Sequence, residues 1–236
     1  MALPKFNDIP QYELTIPSTK NKVSYRPFLV KEQKILMMAQ DTKLDADVAD
    51  AMGKLVSSCT YGSVDPTKAP MFDIEYVFLK IRSKSVGSKI DLNITCPDDE
   101  KTQVSHTVDL DDIKVNMLDG HGTEIKITDT ISLKFRYPIL LDMATIESNV
   151  NTVDRVFHIL NKCIVSIQFG DDIFQRVDIT DEELNNFVDE LTSDQFESVV
   201  EFFNTMPKLR HVIEVTNPKT NKKSEVVLEG LESFLE

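Results

Sequence analysis

The closest approach to a ligating set in this 236-residue chain is Thr95-Cys96-Pro97-Asp98-Asp99. A zinc knuckle would carry a second thiolate at position 99, where this sequence has aspartate. A carboxylate can ligate zinc, but a structural site takes four ligands, mostly thiolates and imidazoles, and no Cys-x-x-Cys exists anywhere in the chain. The pattern predicts a turn built by Pro97 and Asp98, with no metal and no cofactor. A zinc-ribbon-like strand topology without the ion remains compatible with it. Asp109, Asp111 and Asp112 lack the central glycine and distal glutamate of a calcium loop. Gly53-Lys54 is followed by Leu55 and has no glycine five residues earlier, so no amide cradle for phosphate is expected. Neither G-x-G-x-x-G nor G-x-S-x-G occurs. His106, His121, His158 and His211 include no i, i+4 pair. His158 falls on the polar side of its helix, and His121, between Gly120 and Gly122, reads as a turn residue. No carboxylate spacing singles out an acid/base pair. The sequence therefore predicts a protein that is not an enzyme and has no small-molecule substrate. A hydrolase with a site that follows no motif is the lesser alternative.

Composition narrows the class further. Three cysteines, Cys59, Cys96 and Cys163, are too few and too far apart for a disulfide framework and fit a reducing compartment. Residues 1–10 hold Lys5 and no apolar core, so no secretory signal is expected. No apolar run approaches the length that crosses a bilayer. The net charge of −13 is uneven: residues 1–90 carry +3 and residues 91–236 carry −16. An acidic second part repels phosphate backbones, so nucleic acid is not expected as a partner. The same charge serves solubility, or an acidic surface that meets a basic partner.

The elements expected to carry these residues alternate between strands and helices. Tyr12, Leu14 and Ile16 alternate with polar residues, as do Val23 and Tyr25, with turn residues 17–21 between them. This predicts an N-terminal hairpin. Residues 31–40 and 46–57 have helix-forming composition, and residues 61–70, with Gly62, Pro66 and Pro70, read as a loop. Short strands are expected around 90–94, 104–110, 125–127 and 131–137. Beyond Pro138 a helical stripe is expected through Val153, Val156, Phe157, Leu160, Ile164 and Ile167. Thr180 with Glu183, and Thr192 with Gln195, fit capping boxes that open two more helices, the second stopped by Pro207. A second hairpin should pair 212–215 with 225–228, followed by the apolar tail Leu231, Phe234 and Leu235. No internal repeat or low-complexity segment is evident. The expected class is α+β: a mixed helical body with N- and C-terminal β-hairpins and an inserted β-rich subdomain, divided as 1–87, 88–138 and 139–236.

A helix over 71–85 offers the one unusual pattern. Its apolar residues form two arcs, Met71, Ile74, Val77, Phe78 and Ile81 on one and Phe72, Tyr76 and Leu79 on the other. Polar strips divide them, Glu75 with Arg82 and Asp73 with Lys80. A surface helix needs one apolar stripe. Two stripes mean either a helix sandwiched within its own fold or one face reserved for a partner. Phe72, Tyr76 and Leu79, and the tail residues Leu231, Phe234 and Leu235, are the candidate partner-binding residues.

The long segments together carry a resemblance. YRPFLVKE over 25–32, MFDIEYVFLKIRSKSVG over 71–87, TCPDD over 95–99 and the block FFNTMPKLRHVIEVTNPKTNKKSEVVLEGLESFLE over 202–236 resemble the baseplate hub assembly protein (chaperone) family of T4-type tailed bacteriophages. The resemblance covers nearly the whole chain. It implies a protein made in the infected bacterial cytoplasm that binds other baseplate hub or tape-measure-type proteins during tail assembly. A structural component of the virion hub is the alternative. No catalytic residues come with the family.

Overall fold

The computed structural model describes residues 9–42, 45–144 and 152–234. Along the chain run β1 (Tyr12–Thr15), β2 (Lys22–Tyr25), α1 (Val30–Thr42), α2 (Asp45–Cys59), α3 (Met71–Val86), β3 (Lys89–Thr95), β4 (Gln103–Asp109), β5 (Lys114–Asn116), β6 (Glu124–Lys126) and β7 (Ile131–Phe135). They continue with α4 (Leu140–Ala144), α5 (Thr152–Cys163), β8 (Ile164–Phe169), β9 (Asp172–Gln175), α6 (Asp181–Asp189), α7 (Ser193–Thr205), β10 (Lys208–Thr216) and β11 (Lys223–Glu229). The class is α+β, with the strands gathered in four small sheets.

Two compact units form, one from Met1–Asn116 with Lys208–Glu236, the other from Met117–Pro207. These are not the three segments expected from sequence. The stretch 88–138 is shared between the units because its strands find distant partners. β5 pairs with β10, and β7 pairs with β8. Composition marks strands but not whom they pair with.

In the first unit both expected hairpins form, with Leu14 opposite Val23 and Val212 opposite Val227. α3 is the sandwiched kind of helix: Ile74, Val77, Phe78 and Ile81 from one arc and Phe72 and Leu79 from the other are buried. One of its polar strips is buried as well, and its groups are satisfied. Asp73 accepts from the Ser18 backbone N–H at 3.1 Å and from the Ser18 hydroxyl, tying down the β1–β2 turn. Lys80 Nζ donates to the carbonyls of Leu110 (2.9 Å), Asp111 (2.7 Å) and Ile113 (3.1 Å), gathering the chain between β4 and β5. Without such partners a buried ammonium would be strongly destabilising.

The second unit is a four-stranded antiparallel sheet, order β6-β7-β8-β9, with helices on one face. Leu133, Phe135, Ile164 and Ile167 from the sheet meet Leu160, Leu184, Val188, Val199 and Phe202 from the helices. The opposite face is polar, carrying Ser132, Lys134, Ser166, Gln168 and Gln175. Both capping boxes form, at Thr180 with Glu183 and Thr192 with Gln195. The single helical stripe expected through Ile167 does not form. α5 stops at Cys163, and Ile164 and Ile167 lie on β8. The β-branched run Ile164-Val165 favours extended backbone, and the Cys163 carbonyl accepts the Arg136 N–H at 2.8 Å, steering the chain alongside β7. Both isoleucines enter the core that the helical reading assigned them, so apolar period alone could not separate the two conformations. Val156 stays exposed, and the side chain of Val153 lies outside the described residues.

An internal repeat, not expected from sequence, links the units. In the first, hairpin β1–β2 ends in buried Tyr25, and the next residue, Arg26, donates its backbone N–H to the Cys59 carbonyl at the end of α2 (3.0 Å). Its guanidinium donates to the Pro27 carbonyl (2.9 Å) and to Glu32 Oε1 (2.8 Å), six residues on, while Glu32 Oε2 accepts the Leu29 N–H (2.8 Å). In the second unit, hairpin β6–β7 ends in buried Phe135. Arg136 donates its N–H to Cys163 at the end of α5 and its guanidinium to the Tyr137 carbonyl (3.1 Å). It also donates to both oxygens of Asp142 (2.6 and 2.8 Å), again six residues on, and Asp142 accepts the Ile139 N–H (2.9 Å). Every connection recurs. The hairpin turns differ by one residue, since Ile16 bonds back to Asn21 but Ile127 to Ile131. The helical spans between arginine and cysteine also differ in length, so little shared sequence survives beyond those anchors.

Candidate interaction surfaces

The residues proposed from sequence as partner-binding sit inside the first unit. Phe72, Leu79, Leu231 and Phe234 are buried, and Tyr76 is half-buried with Lys80 Nζ 5.2 Å from its ring centre. Leu235 lies outside the described residues. The tail docks rather than projecting: a short 3-10 turn over Glu232–Phe234 brings Phe234 into the core. There Glu75 of α3 accepts the Leu231 backbone N–H. Burial and the nearby Glu232 charge push the Glu75 carboxyl up to about 7, against the lowering effect of that hydrogen bond.

The cysteine knuckle is a structural turn. Cys96 is buried, its N–H donates to the Thr102 carbonyl, and its carbonyl accepts from Glu100. Asp99, rather than Asp98, builds the turn by accepting from the backbone of Lys101 (3.1 Å) and Thr102 (2.9 Å) and from the Thr102 hydroxyl (2.6 Å). Those bonds hold its carboxyl well below the ordinary range. Asp98 reaches the other hairpin, accepting from Asn217 Nδ2 at 2.9 Å and from Thr220 Oγ1 at 2.5 Å. Among the described residues no group of three or more His, Cys, Asp or Glu is placed to hold a metal. No helix among them is long and apolar enough to cross a membrane. His121 packs against Tyr137 and Phe202, with Nδ1 3.0 Å from the Thr205 hydroxyl. Burial pulls its pKa down.

Two apolar surfaces that the sequence reading missed stand open. The first is α1. Its anchoring side holds Glu32 and Ala39. At about 100° per residue, Val30, Met37 and Met38 lie on the opposite face with Lys34 and Asp41, and Ile35 sits at the flank toward α2. Met37 is 59% and Met38 61% exposed. Methionine is flexible and polarisable and suits an adaptable binding face. The signal was present in KEQKILMMAQ, where Ile35, Leu36, Met37 and Met38 point all round the helix and cannot all face one core.

The second surface is β9, the edge strand of the second unit. Every residue of β9 is exposed, with Ile173 at 59% and Phe174 at 50%. Phe169 beside it is also exposed, and Val177 just beyond is 91% exposed. Natural edge strands are usually blunted by charge or proline. β6, the other edge of this sheet, carries Glu124 and Lys126, but the centre of β9 is Ile173-Phe174. Val177 and Gln175 also line an open hollow of about 430 Å³, whose cations are Arg136, Lys162 and Arg176. Two of these three cations are already ion-paired, Arg136 with Asp142 and Arg176 with Asp181.

No curated protein and no solved structure matches the chain. A family model described as T4 bacteriophage base plate protein matches residues 9–236, which takes in both units, both arginine junctions and both open surfaces. The chain belongs to the T4 bacteriophage base plate protein family.

Proposed function

We propose that this base plate protein acts in assembly of the hub, holding a hub or tape-measure-type component in the host bacterial cytoplasm until it is incorporated, and that it does so by binding, without catalysis. The observation that supports this is the exposed face of α1, where Val30, Met37 and Met38 lie with Lys34 and Asp41. An assembly factor must cover apolar surface on a partner and then release it. A methionine-rich face supplies contact area without demanding one rigid complement.

The test is co-expression with the other hub proteins of the same phage, followed by co-purification. Met37→Glu with Met38→Glu should abolish capture while leaving the melting temperature nearly unchanged, since neither side chain is buried. Unchanged capture would remove α1 from the reading. Family membership supports a second reading equally, a permanent structural component of the virion hub. Proteomics of purified particles separates the two: an assembly protein is absent from mature particles, and a structural component is present in fixed ratio.

A further inference from the structure

We infer that His121 is a pH-sensitive latch: as a neutral ring it fastens the segment 117–123 to the end of α7, and gaining a proton releases it. A turn closed by the His121 N–H on the Leu118 carbonyl presents the ring. The turn passes through Gly120 at φ +84°, where a side chain would be strained. The imidazole joins Tyr137 and Phe202 in a three-ring cluster, its centre 5.7 Å from the first and 5.1 Å from the second.

The hydrogen bonds decide which nitrogen holds the proton. Thr205 Oγ1 donates its only proton to the Glu201 carbonyl at 2.7 Å. Toward His121 that oxygen can only accept, so Nδ1, 3.0 Å away, is the donor. In the neutral ring Nε2 then carries only a lone pair. It is buried and meets no hydrogen-bond partner among the described residues. A second proton at Nε2 would make a buried N–H with no acceptor on a charged ring, and both carry a heavy cost. The ring takes its charge by leaving the cluster.

No neighbouring charge offsets that cost. From α7 the ring meets Phe202 and the Thr205 hydroxyl, and Glu201 is exposed. From the segment after β7 it meets Tyr137, which is titratable but neutral in this range. Asp119 of its own turn, and Glu124 and Lys126 of β6, are exposed. Burial alone pulls the His121 pKa below its ordinary value of 6.5. A histidine depressed in this way supports the fold fully above about pH 6.5, and that support is lost as pH falls toward the folded value. The second unit begins at Met117 and ends at Pro207, so the latch fastens its two ends to each other. Release bares faces of Tyr137 and Phe202 in a segment where Met117 and Leu118 are already exposed.

Nitrogen-15 NMR of the whole protein reads both the tautomer and the titration. Neutral His121 should carry its proton on Nδ1 and titrate below 6.5. Hydrogen exchange, corrected for the intrinsic rate at each pH, should show protection of residues 117–123 falling at least several-fold from about pH 8 to about pH 5, the range in which histidine changes charge. His121→Phe keeps an aromatic ring and cannot take a proton, so its protection should stay level over the same range. A proton on Nε2 of the neutral ring would overturn the latch, as would titration at or above 6.5. So would an equal fall in protection in His121→Phe.

Discussion

The two arginine junctions make the same connections in different surroundings. The Arg26 side chain is 7% exposed and its Glu32 partner 4%, whereas Arg136 is 36% exposed beside an Asp142 at 6%. In the first unit Ser58 completes the enclosure, accepting from Arg26 at 3.0 Å and donating to Glu32 at 3.1 Å. In the second unit the arginine opens onto the basic hollow. An enclosed ion pair commits both partners, because losing one leaves a charge with no water to replace it. A pair open on one side can rehydrate. The same device thus serves as an enclosed anchor in one unit and as a partly hydrated ion pair in the other.

The largest expected effect breaks the enclosed junction. Glu32→Ala should destabilise the first unit by about 3–5 kcal/mol, and Asp142→Ala the second by only about 1–2 kcal/mol, because water reaches Arg136. Hydrogen exchange resolved by peptide measures each unit separately. Equal losses would show that burial does not set the difference. Acid should separate the units as well. Burial pushes the Glu32 carboxyl up, but the hydrogen bonds from Arg26, Leu29 and Ser58 and the arginine's charge outweigh it and hold the group at about 2. A depressed carboxyl stabilises above its unfolded pKa, so this contribution is complete above about pH 4.5 and is lost as pH falls toward 2.

A smaller effect of opposite sign distinguishes the first unit again. Glu75 is raised to about 7, so it favours the fold below about pH 4.5 and that support is lost as pH rises through 7. Glu75→Gln should raise stability at pH 8 by about 1–2 kcal/mol and flatten the decline between pH 5 and 8. Tyrosine fluorescence is a suitable probe, because four of the five tyrosines, Tyr12, Tyr25, Tyr61 and Tyr76, lie in the first unit and the chain has no tryptophan. A decline as steep in the glutamine variant as in the parent would assign it elsewhere. The smallest effect belongs to the second unit. Thr180→Ala and Thr192→Ala each remove a complete capping box and should cost about 1 kcal/mol apiece, read as faster exchange in α6 and α7.

Much of the local structure was legible in the sequence, because local chemistry decides it. Alternation located both hairpins, the threonine–carboxamide and threonine–carboxylate spacings located two helix starts, and the two arcs of α3 implied a helix packed on several sides. What escaped depends on partners far away in sequence. Nothing local says that β5 pairs with β10, or that a strand should take over from α5 at Ile164. The repeat escaped because it consists of an arginine, a carboxylate six residues later and a distant cysteine that contributes only its carbonyl. The burial of most candidate partner residues escaped for a related reason. An apolar residue looks alike in sequence whether it is covered or bare, and Phe72 and Phe234 are covered while Met37, Ile173 and Phe174 are bare.

The pairing of β5 with β10 has a consequence for how the chain is made. Lys114 lies opposite Arg210 and Asn116 opposite Lys208, so residues 117–207 leave and re-enter the first unit at adjacent points. During synthesis the second unit is continuous and can close on itself as soon as it has left the ribosome. The first unit must wait with β5 unpaired and its core lacking Leu209, Ile213 and Phe234 until the final segment appears. The nascent chain therefore acquires its acidic, strand-edged half before its methionine-bearing half is consolidated. Replacing residues 117–207 with a tight turn between β5 and β10 should yield a shorter protein that completes its fold without that delay.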